Sequence, residues 1–305
     1  MGNLLKPKND LLFKRIFGAE DNIDVLTEFL KSVLRLPAAE YSEVILCNPN
    51  TQYDRADDKI GILDIKVRTT TGKIIDVEIQ LEAVPQLRER IMFYGSKMFT
   101  EQIGKGDKYE TIKQVIPILI VDDKLFPAKD DKYHHRFTLY DIDAQLELTD
   151  ILEVHTLELP KLPEATDGSS LWNWLKLLES EQEEDFDMLA QTSPQMDKAV
   201  TIVRRLSADE QFRFDYEQSE KRRRDLMAFM DEATRKGEAK GIAKGIAKGI
   251  AKGIAKGIAK GIAKGKAEGK AEGKADVARS MLADAMPVDL VSKFTGLSLK
   301  EIEKL

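Results

Sequence analysis

The sequence predicts an α/β fold, with a mixed sheet in the N-terminal half and a long α-helical region after it. Three observations lead to this prediction: helical apolar spacing before about residue 36, strand-like alternation between residues 61 and 82, and an apolar run at residues 112–123. The predicted element order, α-β-β-β-α-β, is typical of an α/β core.

Two amphipathic helices are predicted before the first strand. Asn9 suits the N-cap of the first helix, NDLLFKRIFG, and Gly18 suits its end. The apolar face of this helix consists of Leu11, Leu12, Ile16 and Phe17. The second helix runs from about residue 23 to residue 36 and is closed by Pro37. The segment YSEVILCNPN then predicts a short strand.

The segment IGILDIKVRTTTGKIIDVEIQLE predicts two strands joined by a turn around residues 71–73. In the first strand, Leu63, Ile65 and Val67 alternate with Asp64, Lys66 and Arg68. In the second, Ile75, Val77, Ile79 and Leu81 alternate with Asp76, Glu78, Gln80 and Glu82. Alternation places the two sets on opposite faces of a sheet. A turn centred near Thr71 places Asp64 opposite Glu78, within one register step.

The remaining elements follow in order. Residues 86–104 predict a helix, and IKQVIPILIVDD predicts a strand buried on both sides. Two further strand-like segments, HRFTLYDI and LEVHTLELPK, are expected to extend or flank the sheet. From Ser170 to about Lys236 the pattern is helical. The three histidines, His134, His135 and His155, lack the spacing of metal ligands, and we expect them on the surface or in strands.

Residues 237–276 are ten tetrapeptides, mostly GIAK and then GKAE. In an α-helix each of the four positions would form a stripe that drifts by about 40° per repeat. Glycine costs about 1 kcal/mol per residue in a helix. The sequence therefore leaves three states open: a long helix, a coil, or a helix that forms on self-association.

The last segment, residues 277–305, predicts a helix, a turn at residues 295–298 and a second helix. This is the shape of a helix-turn-helix. The second helix, however, carries Glu301 and Glu303 beside Lys300 and Lys304, which is poor for approaching phosphates. A small packing or oligomerising cap is therefore the favoured interpretation.

The charge is unevenly distributed along the 305 residues. The net charge is −6, yet residues 235–279 hold 13 basic and 4 acidic residues, which is +9 locally and leaves −15 elsewhere. This asymmetry permits a nucleic-acid partner. No apolar run approaches the length of a membrane span, the segment MGNLLKPKND lacks the pattern of a secretion signal, and the single Cys47 forms no intrachain disulfide. We therefore expect a cytoplasmic protein with no membrane partner.

The candidate catalytic residues lie in the predicted hairpin. Two carboxylates that face each other on adjacent strands, Asp64 and Glu78, repel in water and are typical of a cation site. Hard oxygen ligands suit Mg²⁺, and Gln80 points to the same face, where its amide can orient a water or a phosphate. The alternative is that the polar face of this hairpin is simply exposed to solvent.

The string GILDIKVRTTTGKIIDVEIQ resembles the motif of the recombination-promoting nuclease (Rpn)/putative transposase family, within the PD-(D/E)XK nuclease superfamily. NDLLFKRIFG, RIMFYGSKMFTEQIGKGDKY and VIPILIVD in the first ~160 residues are also similar, as are the glycine repeat and TGLSLKEIEKL. The resemblance implies a restriction-endonuclease-like PD-(D/E)XK core over residues 1–165. An α-helical region (166–236), the repeat (237–276) and the helix-turn-helix-like cap (277–305) are predicted to follow.

The resemblance also implies a function, a magnesium-dependent DNA endonuclease that promotes recombination or horizontal gene transfer. Asp64 and Glu78 would bind Mg²⁺, or Mn²⁺, with the Ile79 carbonyl as a further ligand. Gln80 stands where many superfamily members have lysine. This departure puts the rate of DNA cleavage in doubt more than the location of the catalytic site. The alternative is a catalytically weak DNA-binding or self-assembling protein, a homo-oligomer joined through the repeat.

Three more residues are candidates for an assisting role. An acidic residue of the first helix sometimes assists in that superfamily, and Asp10 is the matching candidate; a first-turn acid favoured by the helix dipole is the alternative. Arg90 and Tyr94, one turn apart on the predicted third helix, are candidates for phosphate contact. Ordinary packing and surface charge are the alternative for that pair.

Overall fold

The computed structural model describes residues 4–47, 64–81, 86–126 and 131–305. The chain divides into two compact units, Met1–Arg223 and Arg224–Leu305. The start of the predicted hairpin (61–63), Glu82 and the end of the first predicted strand (48–50) lie outside the described residues.

Two helices begin the first unit, as the apolar spacing predicts. They are α1 (Asp10–Phe17) and α2 (Ile23–Val33). The Asn9 side chain caps α1 by accepting a hydrogen bond from the Leu11 N–H at 3.0 Å. The inner faces of both helices are fully buried in the main core, where aromatic rings of α1, α2 and a later helix meet: Phe13, Phe17, Phe29 and Trp174.

The sheet has six strands in the order β1-β2-β3-β4-β6-β5. The strands are β1 (Ile45–Leu46), β2 (Ile65–Arg68), β3 (Ile74–Gln80), β4 (Val115–Val121), β5 (His134–Asp141) and β6 (Leu146–Glu158), with helix α3 (Leu87–Thr100) between β3 and β4. The β3–β4 and β4–β6 pairs are parallel and the other pairs are antiparallel. The predicted mixed α/β fold is confirmed.

Helices cover both faces of the sheet. Helices α1 and α2 share one core with α4 (Ser170–Glu179), α5 (Glu183–Ala190) and α6 (Pro194–Ala208), into which Val77 of β3 and Ile118 of β4 point. Helix α3 packs on the opposite face through Ile91 and Met98. It approaches closely at Gly95, where a Cβ atom would lie 2.9 Å from Pro117 Cγ. The central strands are therefore buried on both sides.

Helix α7 (Glu210–Ala283) is 74 residues long and runs from the first unit into the second. Its first turns belong to the first unit, where Phe212 and Tyr216 join the main core. The tetrapeptide repeat is helical throughout. None of the described helices is long and apolar enough to cross a membrane.

The second unit ends in α8 (Val288–Thr295) and α9 (Leu299–Ile302). Together with the last turns of α7 they enclose a small core of Ala278, Val291 and Ile302. Gly296 ends α8 with a positive φ of 69°, which glycine adopts without strain. The predicted turn between two helices is therefore observed, whereas the segment before it, predicted as one helix, is divided between the end of α7 and α8 by a break before Pro287.

A chain of polar side chains links β5 to β6 on the face of the main core. His155, only 1% exposed, lies 2.8 Å from His134 and 2.7 Å from the carboxylate of Glu153, whose other oxygen accepts from Arg136 at 2.7 Å. Burial, and then the neighbouring His155, lower the pKa of His134 to about 4. Burial alone would raise the pKa of Glu153, but hydrogen bonds from His155 and Arg136 lower it to about 2.

We expect acid to destabilise the first unit through the titration of His134 and Glu153. Between pH 6.5 and about 4 an unfolded chain binds a proton at His134 that the folded chain does not, so stability falls as the pH falls. Below 4.5 the unfolded state also binds a proton at Glu153. At pH 5 the loss through His134 is about 1–2 kcal/mol relative to pH 7, after allowance for its partial exposure.

Urea unfolding at pH 7 and pH 5 measures this loss, with fluorescence of Trp172 and Trp174, both in α4, reporting on the first unit. The His134→Gln variant removes the titrating group and should lose about 1–2 kcal/mol less than the wild type between the two pH values. Equal losses in the two proteins would contradict the assignment.

Candidate active site

The hairpin of β2 and β3 brings Asp64 and Glu78 together. Ile65 pairs with Val77 and Lys66 with Asp76, so Asp64, directly before β2, continues the register opposite Glu78. The apolar partners face the main core, and the carboxylates therefore face α3. This polar face is not open to solvent, since Asp76 is 2% and Glu78 is 6% exposed. The alternative of a solvent-exposed strand face is thus wrong for these two residues.

Asp64 is held by the backbone of β3 and by a lysine of α1. One oxygen, Oδ2, accepts a hydrogen bond from the Ile79 N–H at 2.9 Å. The other, Oδ1, lies 2.9 Å from Lys14 Nζ, which also contacts Asp10 at 2.8 Å. Asp10 and Lys14 are one turn apart on α1, so a single helix face supplies both a carboxylate and an ammonium group. Asp10 reaches Asp64 through Lys14.

Glu78 is paired with Arg90 of α3. The Arg90 guanidinium contacts Glu78 Oε1 at 2.5 Å and lies over the Tyr94 ring, 5.6 Å from its centroid. Arg90 and Tyr94 were candidates for phosphate contact; in this structure Arg90 holds a carboxylate and Tyr94 stacks on Arg90. Gln80, half-buried, ends β3 on the same face as Glu78.

Burial dominates the electrostatics of these carboxylates. It raises the pKa of Asp64 although the Ile79 N–H and Lys14 act in the opposite direction. It also raises the pKa of Glu78 despite Arg90. The pKa of Asp76 is raised well above its ordinary value by burial and by the charges of Glu78 and Asp64. The site is therefore rich in carboxylates whose charge the surrounding cations only partly offset.

The donors present fit a hard divalent cation. Asp64 and Glu78 offer carboxylate oxygens, and the C=O of Ile79 points to the same edge of β3 as its N–H, which binds Asp64. Among the described residues, no group of three His, Cys, Asp or Glu side chains is arranged to hold a metal. Mg²⁺ is nevertheless usually bound by only one or two protein carboxylates, because it keeps several waters and accepts substrate oxygens.

Lys14 was missed by sequence reasoning. It lies 50 residues before Asp64 in the chain, within a segment interpreted through its apolar face. The available signal was its position four residues after Asp10, which places both on one face of a helix. Asp76 was assigned no role, and it is the most deeply buried of these carboxylates.

Comparison with known families agrees with the fold. A family model described as PD-(D/E)XK nuclease family transposase matches residues 7–233, which include α1, the hairpin and α3. A second, described as the C-terminal HTH domain of the Rpn/YhgA-like nuclease family, matches residues 271–305. The chain therefore belongs to the PD-(D/E)XK nuclease family transposases, in its Rpn branch. Comparison with curated proteins and with solved structures found no match.

The C-terminal match revises one interpretation. The acidic residues Glu301 and Glu303 favoured a packing cap over a helix-turn-helix, whereas the family model identifies residues 271–305 as a helix-turn-helix domain. In the structure, Glu301 closes a capping box with Ser298 at the start of α9, at 2.6 and 2.8 Å. Glu301 thus stabilises the N-terminus of α9. The helix-turn-helix domain suggests DNA binding.

Replacing Arg90 by alanine is expected to lower the free energy of unfolding of the first unit by about 1–3 kcal/mol, because Glu78 then loses the cation that its buried carboxylate contacts. Urea unfolding measures the change. The free energy of unfolding of the Glu78→Gln/Arg90→Ala double variant should fall by less than the sum of the decreases in the two single variants.

Arg88→Ala is the matched control on the same helix. Its guanidinium lies 5.9 Å from the centroid of the Phe126 ring, a contact worth about 0.5–1 kcal/mol. If Arg90→Ala costs no more than Arg88→Ala, the pair with Glu78 does not stabilise α3 on the sheet.

Proposed function

We propose that this protein is a magnesium-dependent DNA endonuclease that hydrolyses phosphodiester bonds at Asp64 and Glu78. Membership of a nuclease family makes nuclease activity the expected chemistry. The observation that carries the proposal is the pairing of the partly buried carboxylate of Asp64 with the buried carboxylate of Glu78 across the β2–β3 hairpin, with Lys14 and Arg90 as their cations. A carboxylate pair held in this way is costly to bury and marks a functional site.

The metal ligands in this proposal are the carboxylates of Asp64 and Glu78 and the carbonyl of Ile79. Mg²⁺ is the proposed ion, and Mn²⁺, which prefers the same oxygen donors, is a substitute. When bound, the metal polarises the phosphodiester and lowers the pKa of a coordinated water.

The side chains around the metal ligands are proposed to stabilise charge, orient the attacking water and position the ligands. Lys14 supplies a positive charge next to Asp64, which Gln80, in the place of the superfamily lysine, cannot carry. Gln80 orients the attacking water through its amide. Arg90 positions Glu78, and Tyr94 supports Arg90 through its ring. Asp10 is a positioning residue that holds Lys14.

The reaction is hydrolysis. A water oxygen attacks the phosphorus in line with the bond that breaks, the new P–O bond forms, and the bond to the leaving oxygen of the next nucleotide is cleaved. The attacking water loses one proton and the leaving oxygen gains one, so the reaction needs no redox partner. Lys14 stabilises negative charge that develops on the phosphate.

DNA is the proposed substrate and partner. The helix-turn-helix match at residues 271–305 supports binding to DNA, and membership of a family of transposases supports a role in recombination or horizontal gene transfer. A second candidate function is a catalytically weak DNA-binding or self-assembling protein. It is favoured by Gln80, which lacks the charge of lysine, and by the helix-turn-helix match.

The first test is cleavage of supercoiled plasmid by the full chain with Mg²⁺ or Mn²⁺. We expect nicking or linearisation that EDTA abolishes, and at least a 100-fold slower rate in Asp64→Asn and Glu78→Gln, which keep the side-chain size and remove the charge. Circular dichroism establishes that the variants fold.

The exposed Asp150 gives a matched control, since Asp150→Asn removes one carboxylate from the surface of β6. It should cleave within about twofold of the wild type. No metal-dependent cleavage by the wild type, with DNA binding retained, would favour the second candidate instead.

Lys14 is the subject of a separate prediction. Lys14→Gln should slow cleavage about 100-fold or more with little change in DNA affinity, because one positive charge is lost near Asp64 while the surface cations remain. Lys14→Arg, which keeps the charge, should recover part of the rate. Single-turnover cleavage and fluorescence anisotropy with labelled DNA separate the two effects. Equal cleavage by Lys14→Gln and wild type would remove Lys14 from the mechanism.

A further inference from the structure

The tetrapeptide repeat in α7 forms a helix without tertiary contacts in the described chain. Every residue from Gly237 to Gly273 is exposed, and nothing lies within 4 Å of a Cβ atom placed on any of the ten repeat glycines. Glycine is among the least favourable residues in a helix, and most helical stability in proteins comes from packing of an apolar face. A stable helix here therefore calls for an intermolecular contact.

An apolar ridge runs along this helix. Isoleucine recurs at every fourth residue from Ile242 to Ile262, and the six side chains are 56–65% exposed. At about 100° per residue, the glycine ridge and the alanine ridge flank the isoleucine ridge on its two sides. The lysine ridge lies about 200° away. Large side chains thus alternate with shallow grooves on one side of the helix, and charge lies on the other.

We propose that the repeat segment of α7 pairs with the same segment of a second copy of the chain, each isoleucine ridge lying in a glycine or alanine groove of the other helix. Ridges formed by residues four apart interdigitate when two helices cross at about −50°. An apolar period longer than 3.6 residues winds right-handed, so the pair is a right-handed crossing.

A second copy fits this surface better than another partner. Any helix that follows the ridge must share its four-residue period, and a copy of the chain does so by construction. The seven lysines at the fourth position of the repeat, from Lys240 to Lys264, point away from the ridge, so pairing does not bring them together. The isoleucines expose on the order of 600 Å² per copy, which places the pair at the lower limit of specific interfaces, about 1,200 Å².

The same geometry disfavours a membrane surface. The ridge drifts by about 40° per repeat, so it reaches the opposite side of the helix after about 18 residues, or about 27 Å. A flat bilayer receives only part of such a ridge, whereas a helix of the same period follows it. This inference concerns the second unit alone and does not depend on nuclease activity.

Sedimentation equilibrium of the full chain tests the pairing. We expect a concentration-dependent dimer for the wild type. Alanine at Ile246, Ile250, Ile254 and Ile258 should raise the dissociation constant at least 100-fold. Alanine is a better helix former than isoleucine, so the loss cannot be assigned to a weaker helix. Circular dichroism measures helix content in each protein.

The matched control replaces the lysine two residues after each isoleucine: Lys248, Lys252, Lys256 and Lys260 become glutamine. These changes leave the apolar ridge intact, so the dissociation constant should stay within about threefold or fall, since like charges are removed. Loss of association in this set alone would overturn the proposal in favour of a contact made through charge, such as with an anionic partner.

Cross-linking locates the contact face. In a Cys47→Ser background, Ile250→Cys should form an intermolecular disulfide on mild oxidation and Lys252→Cys, on the opposite face, should not. A monomeric wild type at all concentrations, dimerisation unaffected by the alanine set, equal cross-linking at both positions, or association only with lipid vesicles would each overturn the proposal.

Discussion

The structure of the first unit depends on two carboxylates held between helices, one buried and one partly buried. Asp64 and Glu78 lie on a strand pair that is covered on both faces, where an unpaired charge is expensive. Each neighbouring helix supplies one cation, Lys14 from α1 and Arg90 from α3. The apolar faces of these helices pack on the sheet while these polar contacts join them to the same hairpin. Core packing and the candidate site are therefore built by the same elements.

Two buried carboxylates of the sheet show what distinguishes a structural acid from a candidate ligand. Glu153 receives hydrogen bonds from His155 and Arg136, and its pKa falls to about 2, because these partners more than offset burial. Glu78 is paired with Arg90, yet burial still raises its pKa. A carboxylate that its own protein leaves incompletely neutralised is suited to an added cation. A saturated carboxylate such as Glu153 already has its partners.

Local patterns were sufficient for much of the fold. Alternation of apolar and charged residues predicted β2 and β3 and, with the position of the turn, the pairing of Asp64 with Glu78. Capping by Asn9 and termination at Gly18 predicted α1. The exposure of the charged face of the hairpin was not predictable in this way, because alternation specifies only that the two faces of a strand differ in polarity. Whether the charged face meets solvent depends on α3, which lies later in the chain.

The sequence by itself determined the α/β order, the two faces of the hairpin and the candidate carboxylates, because the periods of helices and strands are local properties. Tertiary structure alone decided that Lys14 meets Asp64, that Arg90 meets Glu78 and not open solvent, and that the acidic face is buried. These contacts join residues 12 to 50 positions apart. Which charged side chains meet is set by the packing angles of α1 and α3 against the sheet, and no local period encodes those angles.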